Sequence, residues 1–312
     1  MFNVITFSLL HLDNTSLAIE TVRAGGIAIF NLDFLEKSEI ERAIYNLTRT
    51  LDLVPEKSKI GLKLDVTKLD DFRPIITRLP KESILLLSDL GIEVNSTLKT
   101  SKWIYELNLE IWGELDSISQ TSFLKNPNFS SFVLKGNESG GFVGDESAFV
   151  LASHLIKKSN KPFYIRGGIG VHTASGCFAA GASGVVLDDQ LLALKSSSFP
   201  FHWKSLLKNL AVENTKTIMV NNKKIRVVNH PLFKDAKKIG WGNPSEFMWP
   251  LGQVVGMSEA IANKYKTVGR YIQAIHSQIT ININAAQKNQ PLGVHSKMAK
   301  SIGTQFPIIQ GP

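Results

Sequence analysis

The stretch "KPFYIRGGIGVHTASGCFAAGASGVVLDDQLL", residues 161–192, places two glycine-rich turns around one short apolar segment. The apolar run 163–165 predicts a strand, residues 173–180 predict a short helix, and residues 184–187 predict a second strand. Two strands joined through a helix are parallel, so this stretch is one βαβ unit. Glycines between a strand and the following helix let bare backbone N–H groups approach a ligand, and an anion suits them best.

The same alternation extends through the preceding 160 residues. Several of the strand-like segments are continuous Val, Ile and Leu runs, which is typical of strands buried on both faces of a parallel sheet. Together with the two strands of the βαβ unit, the strand-like segments number eight. Eight β/α units predict an α/β protein with a TIM (β/α)8 barrel. The eight predicted strands are residues 3–9, 27–31, 59–64, 83–87, 103–107, 131–134, 162–166 and 184–187.

Beyond the eighth strand the pattern changes. Two β-branched runs flank "NNKK" and predict a hairpin, an aromatic turn follows around Trp241 and Trp249, and residues 258–274 predict a helix that closes against the barrel and extends to residue 279. The expected organisation is a barrel core over residues 1–195, a hairpin, aromatic turn and helical extension over 196–280, a polar linker over 281–304, and the first strand of a second, truncated barrel over 305–312.

Composition narrows the function classes. The chain is 43% hydrophobic and has one cysteine, Cys177, so no internal disulfide forms and a reducing compartment is expected. No apolar run is long enough to span a membrane and no signal peptide is visible, which predicts a cytoplasmic protein. The seven histidines lie far apart, without metal-ligand spacing, so no metal site is expected.

Charge is distributed unevenly. Residues 1–150 carry 15 basic and 21 acidic side chains, whereas residues 151–312 carry 20 and 6. A positive half suits an acidic protein carrier or a phosphate-bearing cofactor, but it is equally consistent with an ordinary solvated surface. Nucleic acid is not expected, because the lysines are scattered and no nucleic-acid-binding motif is present.

Three loops, two of them glycine-rich, are expected to meet at the mouth of the barrel. They follow the sixth, seventh and eighth predicted strands, and the carboxyl ends of the strands are where TIM barrels bind ligands, with phosphate often held after strands seven and eight. The loops are "KGNESGGFVG" (135–144), "RGGIG" (166–170) and "DDQ" (188–190).

The order "NESGGFVG", "KPFYIRGGIG" and "AAGASGVVLDDQLL" resembles the nitronate monooxygenase (2-nitropropane dioxygenase) family of FMN-dependent TIM barrels, which includes flavin enoyl reductases. The opening "TSLAIETVRAGGIAIF" and the later "WPLGQ" are similar to segments of that family, and "FPIIQGP" resembles the first strand of another such barrel. The arrangement is similar to the first of two tandem barrels at the N-terminus of a polyketide synthase-type protein.

The resemblance implies FMN at the barrel mouth, NAD(P)H as reductant, and a carrier-bound enoyl thioester of polyketide or fatty-acid synthesis as substrate. Phe142 stands where the family has its catalytic histidine, and no catalytic residue is assigned; His11, at the end of the first strand, is a weak candidate. Phe142 and Gln253 are expected to line the substrate-binding site. The expected cofactor-binding residues are Glu138, Gly140, Gly141, Arg166, Gly167, Gly168, Ile169, Gly170, Asp188, Asp189 and Gln190.

The departures from the family leave two functions open. Phenylalanine cannot transfer a proton, and the carboxylates of Asp188 and Asp189 would oppose a phosphate dianion. The barrel is therefore either an FMN-dependent oxidoreductase that accepts an acyl carrier domain, or a non-catalytic scaffold packed on an adjacent active flavin barrel of the same polypeptide. A flavin-free barrel enzyme has less support, because no paired acid and base stand out at the strand ends. Glu138 would either contact the ligand or hold its own loop by hydrogen bonds to neighbouring amides.

Overall fold

A computed structural model describes residues 2–12, 15–91 and 94–309, apart from the His11 side chain. Its centre is a closed barrel of eight parallel strands, in which β1 pairs with both β2 and β9 and so completes the ring. The short strand β7 (Gly141–Phe142) lies between β6 and β8 in the sequence but outside the ring. The barrel strands are β1 (Asn3–Ser8), β2 (Ile27–Asn31), β3 (Ile60–Asp65), β4 (Ile84–Ser88), β5 (Glu110–Leu115), β6 (Ser131–Lys135), β8 (Phe163–Arg166) and β9 (Gly184–Leu187).

Helices surround the barrel, as the predicted alternation requires. Their apolar faces and the outward-facing strand residues form the largest buried cluster, while residues of opposite parity, such as Ile5, Leu86 and Trp112, form a separate core inside the ring. The helices of this region are α1 (Thr15–Arg23), α2 (Ile40–Leu53), α3 (Arg73–Ile76), α4 (Val94–Thr100), α5 (Trp103–Glu106), α6 (Ala148–Leu155), α7 (Thr173–Ala179) and α8 (Phe201–Leu207).

The fifth strand differs from its prediction. Residues 103–107 were predicted as a strand, but Trp103–Glu106 is helix α5, and β5 begins at Glu110. The apolar run at Trp103 resembles a strand locally, whereas β5 contains charged residues that interrupt its apolar pattern. The crossover after β4 contains α4.

The predicted hairpin forms from β10 (Thr215–Val220) and β11 (Lys223–Val228), with a two-residue turn at Asn221 and Asn222. Both turn residues have positive φ, the conformation that tight two-residue hairpins need and that asparagine tolerates. β11 also pairs with β7, so the hairpin is joined to the loop after β6. A small parallel pair, β12 (Lys238–Ile239) and β13 (Phe247–Met248), follows.

The C-terminal helices are α9 (Ser258–Tyr265), α10 (Val268–Asn289) and α11 (Lys297–Ser301). Tyr271, Ile272 and Ile275 of α10 are buried in the outer core, so this helix packs against the barrel. The helix continues to Asn289, so residues 281–289 are not the linker that their polarity predicted. Among residues 305–309 no strand forms, and residues 310–312 lie outside the described part of the chain. Within the described residues, no helix has the length and apolarity needed to cross a bilayer.

Candidate functional site at the barrel mouth

Charged side chains form the uppermost layer of the barrel interior. Strand parity turns Lys63, Glu114, Lys135 and Arg166 inward, since their neighbours two residues earlier, such as Trp112 and Tyr164, belong to the inner core. All four lie near the carboxyl ends of their strands and are buried. Charged residues in such a position need partners, because an unpaired buried charge is strongly unfavourable.

Glu114 provides the common partner. Its Oε1 lies 3.2 Å from Lys63 Nζ and 3.6 Å from Lys135 Nζ, and its Oε2 accepts a hydrogen bond from Arg166 Nη1 at 3.0 Å. Lys63 also pairs with Asp33, and Arg166 Nε donates to Asp188 Oδ2 at 2.8 Å. We call this group, made of Asp33, Lys63, Glu114, Lys135, Arg166 and Asp188, the interior ion cluster.

The cluster separates the pKa values of its members. Burial alone would raise the pKa of Glu114, but the cations around it lower that pKa to about 2. Burial lowers the pKa of Lys135 to about 8, and the charges of Arg166 and Lys63 act in the same direction. Burial also raises the pKa of Asp116, at the end of β5, above its ordinary value. Acid and base groups with separated pKa values at the end of a barrel are typical of proton-transfer sites.

A cavity of about 460 Å³ opens above one side of this cluster. It lies over the carboxyl ends of β2 to β6, and a volume of this size accommodates a small molecule. We call it the mouth pocket. Its walls are Asp33, Lys63, Asp65, Lys68, Ser88, Asp89, Glu114, Asp116, Lys135, Phe142, Val143, Gly144, Asp145, Met219, Asn222, Lys223 and Lys224.

The β10–β11 hairpin forms the roof of the mouth pocket. Lys223 pairs with Asp89, after β4, and Lys224 pairs with Asp145, after β6, so both sides of the pocket hold the hairpin tip. Phe142 stacks on Phe34 with 5.9 Å between ring centroids, and it forms part of the pocket wall. Whether Phe142 contacts a substrate remains a prediction.

The three loops that follow β6, β8 and β9 meet, and they are tightly packed. A Cβ on Gly140 would lie 2.2 Å from the Pro250 carbonyl oxygen and 2.7 Å from Asp189 Oδ2, and Asp189 accepts a hydrogen bond from the Gly252 N–H at 2.6 Å. Burial and the neighbouring Asp188 raise the pKa of Asp189 to about 8. Among these loops the remaining cavity is about 20 Å³, which is room for one water molecule.

Buried Gln190 links the seventh and eighth loops. Its Oε1 accepts a hydrogen bond from the Asp188 N–H at 3.0 Å, and its Nε2 donates to the Ile169 carbonyl at 3.1 Å. The side chain thus occupies backbone groups of the two loops in which a phosphate site was expected. Gly167 and Gly168 have positive φ and face the Glu138 side chain, whereas Gly170 lies beside Met257.

Two other expected site residues bind the protein's own backbone. The carboxylate of Glu138 accepts hydrogen bonds from the Ala148 N–H, at the start of α6, at 3.1 and 3.2 Å. Its carbonyl oxygen accepts from the Gln253 N–H at 2.8 Å. Gln253 is not among the walls of the mouth pocket. Gly141 lies under Phe34, where a Cβ would be 3.9 Å from Lys135 Nζ.

The aromatic turn covers the mouth beside β9 and β1. Trp249 is fully buried against Phe199 and Phe233, and its Nε1 donates to the Gly242 carbonyl at 2.8 Å. We call residues 241–252 the closing segment; they pack as a lid rather than lining a channel. His11 lies in the short turn Leu10–Leu12 at the end of β1, and its side chain lies outside what the structure describes.

Sequence reasoning missed the interior ion cluster. Arg166 and Asp188 were expected to contact a phosphate, and the expectation that no acid–base pair stands at the strand ends was wrong for Glu114 and Lys135. A signal existed, because Lys63 interrupts the apolar run of its strand with inward parity. That signal alone does not reveal that Glu114 is the partner of Lys63.

Comparison with solved structures finds the same architecture. FabK from Thermotoga maritima superposes with a TM-score of 0.74 at 17% identity, covering 92% of this chain and 95% of that one. Nitroalkane oxidase from Streptomyces ansochromogenes gives 0.63 at 13% identity, with coverages of 90% and 97%. The enoyl reductase domain of MlnA, from the macrolactin biosynthesis cluster of Bacillus amyloliquefaciens, gives 0.65 at 10% identity, with coverages of 93% and 96%.

No protein-family model matches the chain, and no curated protein matches its sequence. At these identities the superpositions establish the fold. The chain therefore has the TIM-barrel fold of FabK, nitroalkane oxidase and the MlnA enoyl reductase domain over nine-tenths of its length, and the resemblance seen in its sequence is confirmed at the level of the fold.

Proposed function

We propose that this chain is a flavin-free form of the barrel, and that it binds a small polar molecule in the mouth pocket rather than FMN beneath the closing segment. One observation carries the proposal: where the resemblance would place the flavin, even a Cβ on Gly140 would lie 2.2 Å from the Pro250 carbonyl oxygen and 2.7 Å from Asp189 Oδ2. The cavity left there is about 20 Å³, whereas ligand pockets are about 300 Å³ or more.

The charges at the expected phosphate position support the same proposal. A phosphate dianion beside the eighth loop would lie next to the carboxyl groups of Asp188 and Asp189. The raised pKa of Asp189 leaves Asp188 as the main negative charge there at pH 7, and like charges at close range in a poorly solvated site repel strongly. Arg166 does not offset them for a ligand, because Glu114 and Asp188 already pair with it. The residues present therefore do not fit FMN.

A flavin titration tests the proposal. We expect no quenching of FMN fluorescence and no protein-bound band in the visible spectrum when FMN is added to the purified chain. A matched variant, Asp188→Asn with Asp189→Asn, removes both carboxyl groups at nearly constant volume. If only the variant binds FMN, charge excludes the flavin; if neither binds, the packing of the closing segment excludes it. Stoichiometric binding of FMN by the unmodified chain would refute the proposal.

The second candidate is the FMN-dependent enoyl reductase that the resemblance implies. The fold shared with the MlnA enoyl reductase domain over 93% of this chain favours it, and so does the glycine turn after β8. In that role NAD(P)H would be the reductant, and the basic C-terminal half would suit an acidic carrier domain bearing an enoyl thioester. NAD(P)H oxidation with a soluble enoyl thioester and added FMN would support this candidate, and we expect none.

The scaffold role is compatible with the absence of a flavin. A barrel without FMN, adjacent to an active flavin barrel of the same polypeptide, would contribute surface rather than hydride transfer. Ligand binding in the mouth pocket distinguishes a scaffold from the proposed binding protein, because a pure scaffold has no need of an open cavity over charged side chains.

A further inference from the structure

Of the two buried lysines in the mouth pocket, Lys63 and Lys135, Lys135 has the weaker ionic pairing. Its side chain is 2% exposed, and among the described residues the one carboxylate within 4 Å of its Nζ is Glu114, at 3.6 Å. That distance exceeds a hydrogen bond. The same carboxylate oxygen is closer to Lys63, at 3.2 Å, and Lys63 has Asp33 as a second partner. Glu114 is thus shared in a way that leaves Lys135 undercompensated.

The surroundings of Lys135 favour its neutral form. Desolvation is the main cause, the cations Arg166 and Lys63 add to it, and Glu114 and Asp33 oppose it, which leaves the pKa at about 8. The lowered pKa makes a larger share of Lys135 side chains free amines at neutral pH than for a lysine of ordinary pKa. A free amine is a nucleophile toward carbonyl carbon.

Proton-transfer groups lie on the same wall of the pocket. Asp116 follows Glu114 on the loop after β5 and also lines the cavity. Burial raises the pKa of Asp116 above its ordinary value, so its carboxyl group holds a proton more readily than that of an ordinary aspartate. Glu114, held ionised by its cations, stabilises a positive charge at the Lys135 nitrogen. An amine, a proton donor and a counter-ion therefore surround one cavity.

We propose that Lys135 is a carbonyl-reactive amine that binds a small polar aldehyde or ketone in the mouth pocket as an iminium adduct. The nitrogen lone pair forms a C–N bond to the carbonyl carbon, and the C=O π pair moves to oxygen, which takes a proton. The nitrogen gives up one of its protons, the new hydroxyl takes a second proton from Asp116 or solvent and leaves as water, and the nitrogen lone pair forms the C=N bond of the iminium ion. Nothing is oxidised or reduced, and the proton relay needs only Asp116 and solvent.

This inference deepens the proposed function by naming the class of ligand, and it is tested separately. The unmodified chain, without FMN, is incubated with glyoxylate and cyanoborohydride, and labelling at each lysine is measured by peptide mass spectrometry. We expect Lys135 to be labelled at least about tenfold faster than exposed lysines at pH 7. Its rate should rise as pH approaches 8 and level off above it, while the rates of exposed lysines continue to rise.

Lys161 is the internal control. Burial also lowers its pKa, but it lies outside the mouth, where its Nζ donates to the Asn126 carbonyl. Lys135→Met removes the amine at similar volume and should abolish the fast label alone. Labelling of Lys135 no faster than that of Lys161, in a chain that gives a cooperative unfolding transition, would refute the inference and leave the ion cluster structural. FMN binding together with fast Lys135 labelling would instead refute only the proposed function.

Discussion

Glu114 lies within 4 Å of three cationic side chains in the barrel interior. A buried carboxylate with one cation is often no more stabilising than an apolar pair, but removing a carboxylate shared by three cations leaves several buried charges without compensation. At the scale of single residues, the stability of the mouth therefore depends on Glu114 more than on any one cation.

Glu114→Gln should lower the free energy of unfolding by about 3 kcal/mol or more, because the three cations lose their common counter-ion. Urea denaturation at pH 7 measures this. Glu110→Gln is the matched control on the same strand: Glu110 pairs with Lys59 in a partly exposed position, so its loss should cost under about 1 kcal/mol. Equal effects of the two substitutions would show that the interior ion cluster adds nothing to stability.

At the scale of elements, the β10–β11 hairpin decides which part of the mouth is roofed. The hairpin pairs with β7 through β11, and Arg226 Nε of β11 donates a hydrogen bond to the Asn137 carbonyl at 2.6 Å. At its tip, Lys223 and Lys224 form ion pairs with the loops after β4 and β6. The hairpin is attached at its base and its tip, so its turn conformation controls how well the roof is ordered.

Asn222→Val should loosen this roof, because a β-branched residue at the positive φ of Asn222 costs about 1–2 kcal/mol. The expected result is faster amide hydrogen exchange over residues 215–228. Asn222→Gly, which relieves the same backbone conformation, should slow exchange there or leave it unchanged. Unaltered exchange in the valine variant would mean that the turn does not limit opening of the hairpin.

At the scale of the whole molecule, the barrel depends on the seam between β9 and β1. Gly184 faces Asn3 across this seam, where a Cβ would lie 2.2 Å from the Asn3 carbonyl oxygen. The missing side chain therefore permits the close approach of first and last strands that closes the ring. Apolar strand patterns alone do not reveal this requirement.

Gly184→Ala should destabilise the chain by about 2–3 kcal/mol, because the backbone at the seam must shift to admit a methyl group. Gly176→Ala is the opposite control. Gly176 lies in α7 with nothing within 4 Å of its added Cβ, so alanine should stabilise the chain by about 0.5–1 kcal/mol. Thermal unfolding of both variants measures the difference, and a Gly184→Ala variant as stable as the unmodified chain would contradict the importance of the seam.

The sequence by itself determined the barrel. Continuous apolar runs, glycine turns and the βαβ unit at residues 161–192 are local patterns, and they sufficed to predict seven of the eight barrel strands. The fifth strand, β5, was missed because Glu110 and Glu114 interrupt its apolar run. Only the tertiary structure decided where the site lies. Buried charges such as Lys63, Glu114 and Lys135 are stabilised by partners far away in the chain, and those pairings exist only once the ring has closed.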